Sequence, residues 1–205
     1  MRLRRLCERG YVNNDEKERW NQKYTEAPEK WEDPDPFLLS AYSEFLSHTK
    51  PGKALDVAGG AGRHAIWLAQ KGWQVRLLDV SDVATGLARK KAAQRAHEIT
   101  GSVSVETVDL NTITSFGPEQ YELIVVFFFL RRELFPALIL ALKPGGTLIY
   151  KTHTVERAKL PGGPSDTSYL LQHNELRRAF SALQVLHYQE SIQGKASAEL
   201  VARRT

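Results

Sequence analysis

From about residue 53 the chain alternates short apolar runs with segments of helical period, and the first junction is a glycine-rich turn, Asp56-Val-Ala-Gly-Gly-Ala-Gly62. Parallel strands need long crossover connections, so this alternation predicts an α/β fold with a doubly wound, mainly parallel sheet. The first strand covers residues 53–58, and the helix after the turn runs through residues 63–71 to Gly72. The second strand, residues 74–80, ends at Ser81, whose hydroxyl can cap the next helix while Asp82 favours its positive end. That helix carries Val83, Leu87, Ala88, Ala92, Ala96 and Ile99 on one face. Alternation predicts a third strand over residues 103–110. Continuous hydrophobicity predicts a fourth over residues 121–129, as for a strand buried on both faces. Leu134, Ala137, Leu138, Ala141 and Leu142 recur at helical spacing, and Lys143-Pro-Gly-Gly146 reads as a turn that stops this helix before a fifth strand, residues 147–153. Residues 157–166 contain Pro161-Gly-Gly-Pro164 and read as a loop, followed by a late helix over residues 174–183. Two final strands, residues 185–191 and 198–203, joined at Gln193-Gly194-Lys195, must pair antiparallel and bring the sheet to seven strands.

A length of 205 residues fits one domain. Its expected parts are a basic tail (residues 1–18), a helical lid (residues 19–50) and the sheet core (residues 53–204). The formal charge of +4 is placed at the ends, by Arg2, Arg4, Arg5, Arg9, Arg203 and Arg204; residues 10–202 hold 22 basic against 23 acidic side chains. Nucleic-acid binders carry excess charge over the folded surface, so no nucleic-acid partner is expected. The lone Cys7 excludes an internal disulfide and a multi-cysteine zinc site, and reads as a free thiol in a reducing compartment. The basic start contains Glu8 and lacks a signal-peptide apolar stretch, and no apolar run is long enough to span a bilayer. These readings predict a cytoplasmic protein with no membrane partner.

In an open α/β sheet ligands bind at the carboxyl ends of the strands. Asp56 stands at the first of these ends, Asp79 ends the second strand 17 residues after Gly62, and Asp109 ends the third predicted strand. Glycines let a ligand press on bare backbone, and an acid at the position of Asp79 can accept from both ribose hydroxyls. Taken singly, each aspartate can be a turn or helix cap; three in register are expected to rim one site. A dinucleotide would bring its diphosphate beside Asp56, at an electrostatic cost. S-adenosylmethionine carries a sulfonium and an ammonium and no phosphate, and it suits such a rim.

With these motifs in this order, the chain resembles class I S-adenosylmethionine-dependent methyltransferases, which implies a Rossmann-like fold and S-adenosylmethionine as cofactor. Asp56-Val-Ala-Gly-Gly-Ala-Gly62 is similar to the D-x-G-x-G-x-G motif of that family, with Ala58 in place of its first glycine. Finer details resemble the subgroup of tellurite-resistance and thiol or thiopurine methyltransferases: Arg19-Trp20-Asn-Gln-Lys-Tyr24, Gly62-Arg63-His64, Phe129-Leu130-Arg131-Arg132 with Leu134-Phe135-Pro136, and Tyr169-Leu-Leu171 with Glu175-Leu176. The resemblance implies Asp56 near the amino-acid end of the cofactor, Gly60 and Gly62 under it, Asp79 on its ribose, Asp109 at its adenine, and Trp20 and Tyr24 in a lid. Arg63, Val80, Leu110 and Phe127 complete the expected cofactor-binding set.

Methyl transfer is an in-line displacement in which the protein aligns the nucleophile and excludes water. A thiol deprotonates readily, whereas a hydroxyl or nitrogen acceptor calls for a general base. The candidates for that role are His64, His153 and Tyr169, each with a structural alternative (a helix-end, capping or surface residue), and none is named as catalytic. Arg131 and Arg132 can greet an anionic acceptor or stand as exposed helix-start charges. No metal-ligand spacing, serine-nucleophile elbow or Walker loop occurs. Phe127-Phe-Phe-Leu130 replaces the Asn/Pro-Pro-x-aromatic tetrapeptide of amino- and nucleobase-methylating enzymes, which disfavours a base-flipping role. The function expected is methyl transfer to a small-molecule acceptor, a thiol or related soft nucleophile. Two alternatives stay open: an NAD(P)-dependent oxidoreductase, since Gly60-Ala-Gly62-Arg-His-Ala65 fits G-x-G-x-x-A, and a non-catalytic nucleoside-binding module.

Overall fold

Strand β1 (Lys53–Val57) lies between β2 (Gln74–Asp79) and β4 (Tyr121–Phe127), at the point where the order of the sheet reverses. The full order is β3-β2-β1-β4-β5-β7-β6, with β3 (Ser102–Thr107), β5 (Leu142–His153), β6 (Gln184–Ser191) and β7 (Ser197–Arg203). Strands β1 to β5 pair in parallel, and β7 runs antiparallel to both β5 and β6. The carboxyl ends of β1 and β4 therefore open the crevice in which an α/β sheet binds ligands. The computed structural model describes residues 14–27, 32–162, 166–192, 194 and 196–205.

Helices α1 (Asn14–Glu26), α2 (Pro36–Phe45), α3 (Arg63–Gln70) and α4 (Asp82–Gln94) precede or cross over the parallel half. On one face Leu38, Ala41, Ala65, Leu68, Ala69 and Trp73 pack on Val75, Leu77, Leu123, Val125 and Ile149. On the other, α5 (Phe135–Ala141) and α6 (Glu175–Ala179) bring Leu138 and Leu176 against Leu55, Ile124, Val126, Leu148 and Tyr150. β4 thus alternates between two buried faces, which explains its continuous hydrophobicity. Asp35 caps α2: its Oδ1 accepts from Phe37 N at 2.9 Å, and Pro36 takes the first helical position, where a missing N–H costs nothing. Ser81 caps α4 as expected, its Oγ accepting from Ala84 N at 3.0 Å. Among the described residues no helix is long and apolar enough to cross a membrane.

Several boundaries differ from the sequence-based expectation. α1 starts at Asn14, so the last residues assigned to the tail are helical; residues 1–13 lie outside the described residues. α2 belongs to the core layer, with Phe37, Leu38 and Ala41 buried against the sheet. β3 ends at Thr107, which leaves Asp109 two residues beyond it. β4 ends at Phe127 because Phe128 turns to φ 56°, its N–H donating to Lys151 O at 2.8 Å. α4 ends at Gln94, and Ala96 falls in a separate exposed 3-10 turn. Lys143-Pro-Gly-Gly146 is a bulge within β5 and not a turn before it: pairing jumps from Tyr121–Leu142 to Leu123–Thr147, while Gly145 N and Gly146 O bond to the backbone of Arg204. Val155–Lys159 forms a 3-10 helix where irregular loop was expected, and α6 is only five residues long, entered through Asn174 at φ 58°. The expected turn at residues 193–195 and the loop at 157–166 fall partly outside the described residues.

Ala58 holds φ 56°, a left-handed conformation in which a Cβ is strained. The cost of the missing glycine is therefore conformational. Ala58→Gly is expected to raise the unfolding free energy by about 0.5–1 kcal/mol, the left-handed strain relieved exceeding the added chain entropy. Urea denaturation measures this, and an equal or lower stability contradicts it.

Candidate functional site

The turn after β1 is built from backbone that side chains would obstruct. Gly59 N donates to Leu78 O at 3.1 Å, and Gly62 N donates to Gly59 O at 3.1 Å. A Cβ on Gly59 would stand 2.7 Å from the carboxylate of Asp56, and one on Gly60 would overlap the Tyr24 hydroxyl. Gly62 serves packing as well: at φ 82° it caps α3, and a Cβ there would meet that of Ala88 at 3.0 Å, so its bareness lets α3 and α4 approach.

Asp56 and Asp79 project from the same face of adjacent strands, and both are buried. Asp79 is well provided for: its Oδ2 accepts from Gly60 N at 2.8 Å and its Oδ1 from Ser81 N at 2.9 Å. Burial raises its pKa, and the N–H groups of Ser81, Gly60 and Val80 pull it back. Asp56 is only 1% exposed, and neither carboxylate oxygen has a hydrogen-bond partner of full geometry. Burial, and then the charge of Asp79, push its carboxyl up to about 7; the Arg63 charge and the Ala65 N–H offset part of this. Asp109 lies just past the end of β3. It is half-buried, and its Oδ1 accepts from Asn111 N at 2.8 Å in the turn after β3.

α1 lies over this turn and α4. Buried Tyr24 packs with Ala61 and Ala84, and half-buried Trp20 stands 6.1 Å from its ring. Burial and then Asp79 raise the Tyr24 pKa above its ordinary value, so the phenol stays protonated. Asn21 Oδ1 accepts from Ser81 Oγ at 2.6 Å, and Lys17 pairs with Asp82 at 2.5 Å, so α1 is pinned to the first turn of α4. Of the remaining expected contacts, Arg63 Nη1 donates to Asp33 O at 3.4 Å, Val80 is half-buried just past β2, and Leu110 is buried in the opposite core. Phe127 is buried with His64 against it, ring centroids 4.2 Å apart.

Of the three proton-transfer candidates, His64 does not face solvent. It is buried, its Nε2 accepts from Asp35 N at 3.2 Å, and burial holds its pKa well below the usual value, fixing the neutral ring. His153 is half-buried against Phe128, 5.0 Å between rings, and Tyr169 is exposed in a 3-10 turn. Arg131 donates to the carbonyls of Leu110 and Ile113; Arg132 grips Glu175 at 2.5 and 2.9 Å and the carbonyls of Ser168 and Leu170. Both guanidiniums therefore hold architecture. Among the described residues no group of three His, Cys, Asp or Glu side chains could hold a metal ion. A recess of about 290 Å³ lined by Lys53, Gln74, Arg76, Ser102, Ser104 and Tyr121 opens at the amino ends of the strands, away from the glycine turn.

Sequence reasoning missed one cluster. Lys151 Nζ lies 2.9 Å from Asp35 Oδ1 and 2.9 Å from Glu199 Oε1, with the rings of Phe37 and Phe128 within 6 Å. Burial opposes the lysine charge, but the two carboxylates hold its pKa above the usual value. Together with His64 this ties the start of α2 to α3, β5 and β7. Lys151→Met would leave two largely buried carboxylates without their cation and is expected to cost on the order of 3 kcal/mol of stability. A loss below about 1 kcal/mol in urea denaturation would mean the pair is effectively solvated.

Comparison with known proteins places this arrangement. The model of the family "Tellurite resistance protein TehB" matches residues 38–199. Hemagglutinin 1 of Eikenella corrodens is 27% identical over 160 residues, 75% of this chain and 51% of that protein. The chain spans about half the length, or less, of the curated relatives it matches. The crystal structure of TehB from Haemophilus influenzae superposes with a TM-score of 0.70 at 18% identity, over 91% of this chain and 67% of that one. An S-adenosylmethionine-dependent methyltransferase from Methanosarcina mazei gives 0.65 at 16% identity, over 84% and 98%. With most of its length matched by that family model, the chain belongs to the TehB tellurite resistance protein family and has the fold of S-adenosylmethionine-dependent methyltransferases.

Proposed function

We propose that the protein transfers the methyl group of S-adenosylmethionine to a small-molecule acceptor, a thiol or related soft nucleophile. The observation that carries this reading is the orphaned, buried Asp56 carboxylate beside bare backbone at Gly59 and Gly60. A cationic nucleoside would supply the missing counter-charge, whereas a diphosphate would add a second anion, which speaks against the dinucleotide alternative. Asp79 would hold the ribose hydroxyls, with Val80 beside it and Trp20 and Tyr24 closing over the turn. The cofactor, when bound, supplies an electrophilic methyl on a sulfonium leaving group.

The chain then has to position the acceptor and exclude water. α1 covers the glycine turn, and its contacts with Ser81 and Asp82 hold it there. His64 already uses its Nε2 toward Asp35 N, and Lys151 is engaged by two carboxylates. Such a site suits an acceptor that arrives deprotonated, as a thiol readily does.

Isothermal titration calorimetry with S-adenosylhomocysteine and NADH tests the cofactor assignment. S-adenosylhomocysteine is expected to bind at micromolar Kd and NADH not at all; the reverse ranking would overturn the reading. Asp79→Ala is expected to weaken S-adenosylhomocysteine binding by about 1–3 kcal/mol, because two ribose donors lose a charged acceptor. Unchanged affinity would mean that the ribose lies elsewhere. With a panel of small acceptors, transfer to thiols is expected to exceed transfer to alcohols, and the opposite preference contradicts the acceptor class.

A further inference from the structure

We propose that Asp56 makes cofactor binding proton-coupled: it holds a proton in the free protein and releases it to solvent when the cationic end of S-adenosylmethionine becomes its counter-charge. This rests on the methyltransferase reading above. The geometry behind it is an asymmetry between two buried neighbours. Asp79 receives peptide N–H groups at 2.8 and 2.9 Å, which stabilise a negative charge. Asp56, 1% exposed, receives none of full geometry, and a Cβ on Gly59 would stand only 2.7 Å from its carboxylate. An unpaired carboxylate so placed costs several kcal/mol to ionise, and a second anion alongside adds to the cost. One negative charge therefore settles on Asp79 and one proton on Asp56.

The groups that face Asp56 come from three elements. Asp79 on β2 raises its pKa, Arg63 at the start of α3 lowers it, and Tyr24 on α1 is a protonated phenol; Glu16, also on α1, acts on Asp79. Arg63 leaves the carboxyl poised near neutrality. Charge balances simply: the neutral carboxylic acid and the cationic cofactor give a carboxylate–cation pair plus one proton in solution, with no bond in the cofactor altered. The sign follows. Below the pKa of Asp56 the proton must be removed before the pair can form, so affinity falls about tenfold per pH unit. Above it the carboxylate is ready, and this contribution to pH dependence vanishes.

Calorimetric titration of the full chain with S-adenosylmethionine, without acceptor, in buffers of different ionisation enthalpy counts the protons released. The wild-type protein is expected to release close to one proton at pH 5.5 and close to none through Asp56 at pH 8.5. Asp56→Asn, which cannot ionise, is expected to bind with no release at pH 5.5. Wild-type binding at pH 5.5 with an enthalpy independent of buffer would overturn the proposal, as would release that persists in Asp56→Asn. If the variant binds too weakly to titrate, the wild-type release at pH 5.5 decides by itself, because the α-amino group of the cofactor is already fully protonated there. Failure to bind S-adenosylmethionine at either pH would instead overturn the cofactor reading, so the two failures are told apart.

Discussion

The hydrogen bond from Gly60 N to the carboxylate of Asp79, 2.8 Å long, holds the site together. It joins the turn after β1 to the end of β2, and the other oxygen of the same carboxylate takes Ser81 N at the start of α4. Bonds of this charge-assisted kind contribute about 1.5–3 kcal/mol each. Asp79 collects these donors, whereas Asp56 one strand away receives none of full geometry, and the site acquires one satisfied carboxylate and one that is not. Ser81 continues the chain of contacts to Asn21, which sets α1 over the turn and Tyr24 over Gly60.

The adjacent network about Lys151 does for the other end of the crevice what Asp79 does for this one. Asp35 caps α2, donates its N–H to His64 and pairs with Lys151, so one residue fixes a helix start, an imidazole tautomer and a buried cation. The first turn of α3 is thereby gripped from two sides: by the glycine turn that precedes it and by the segment that enters α2. Arg132 plays the matching structural part on the far face, where its bonds to Glu175, Ser168 and Leu170 secure the chain that follows β5.

Much of the fold was legible in residue patterns because local physics dictated it. The alternation of apolar runs and helical periods set out the parallel strands, the unbroken hydrophobicity of β4 announced two buried faces, and Ser81 was readable as a cap. Failures came where a partner distant in sequence decided the outcome. Lys143-Pro-Gly-Gly146 looked like a turn, but its pairing with Arg204 makes it a bulge. The Asp35–Lys151 pair spans 116 residues and left no local signature. Around the glycine turn Asp56, Asp79, Gly60, Trp20 and Tyr24 lie together, Asp109 accepts within its own turn, and His64 is drawn into the core. Arg131 and Arg132 could be read as contacts for an anionic acceptor or as exposed helix-start charges, and they stand in a stretch that resembles a subgroup motif. Their bonds show that a motif can mark a structural clamp.

The account stands on a cationic nucleoside seated between Asp56 and Asp79 beneath α1. The most direct measurement is a crystal structure of the complex with S-adenosylhomocysteine. The account predicts the ribose hydroxyls within hydrogen-bond distance of Asp79, the amino-acid end of the nucleoside toward Asp56, and Trp20 and Tyr24 covering it. A nucleoside bound elsewhere, with Asp56 still sealed and unpartnered, would contradict it.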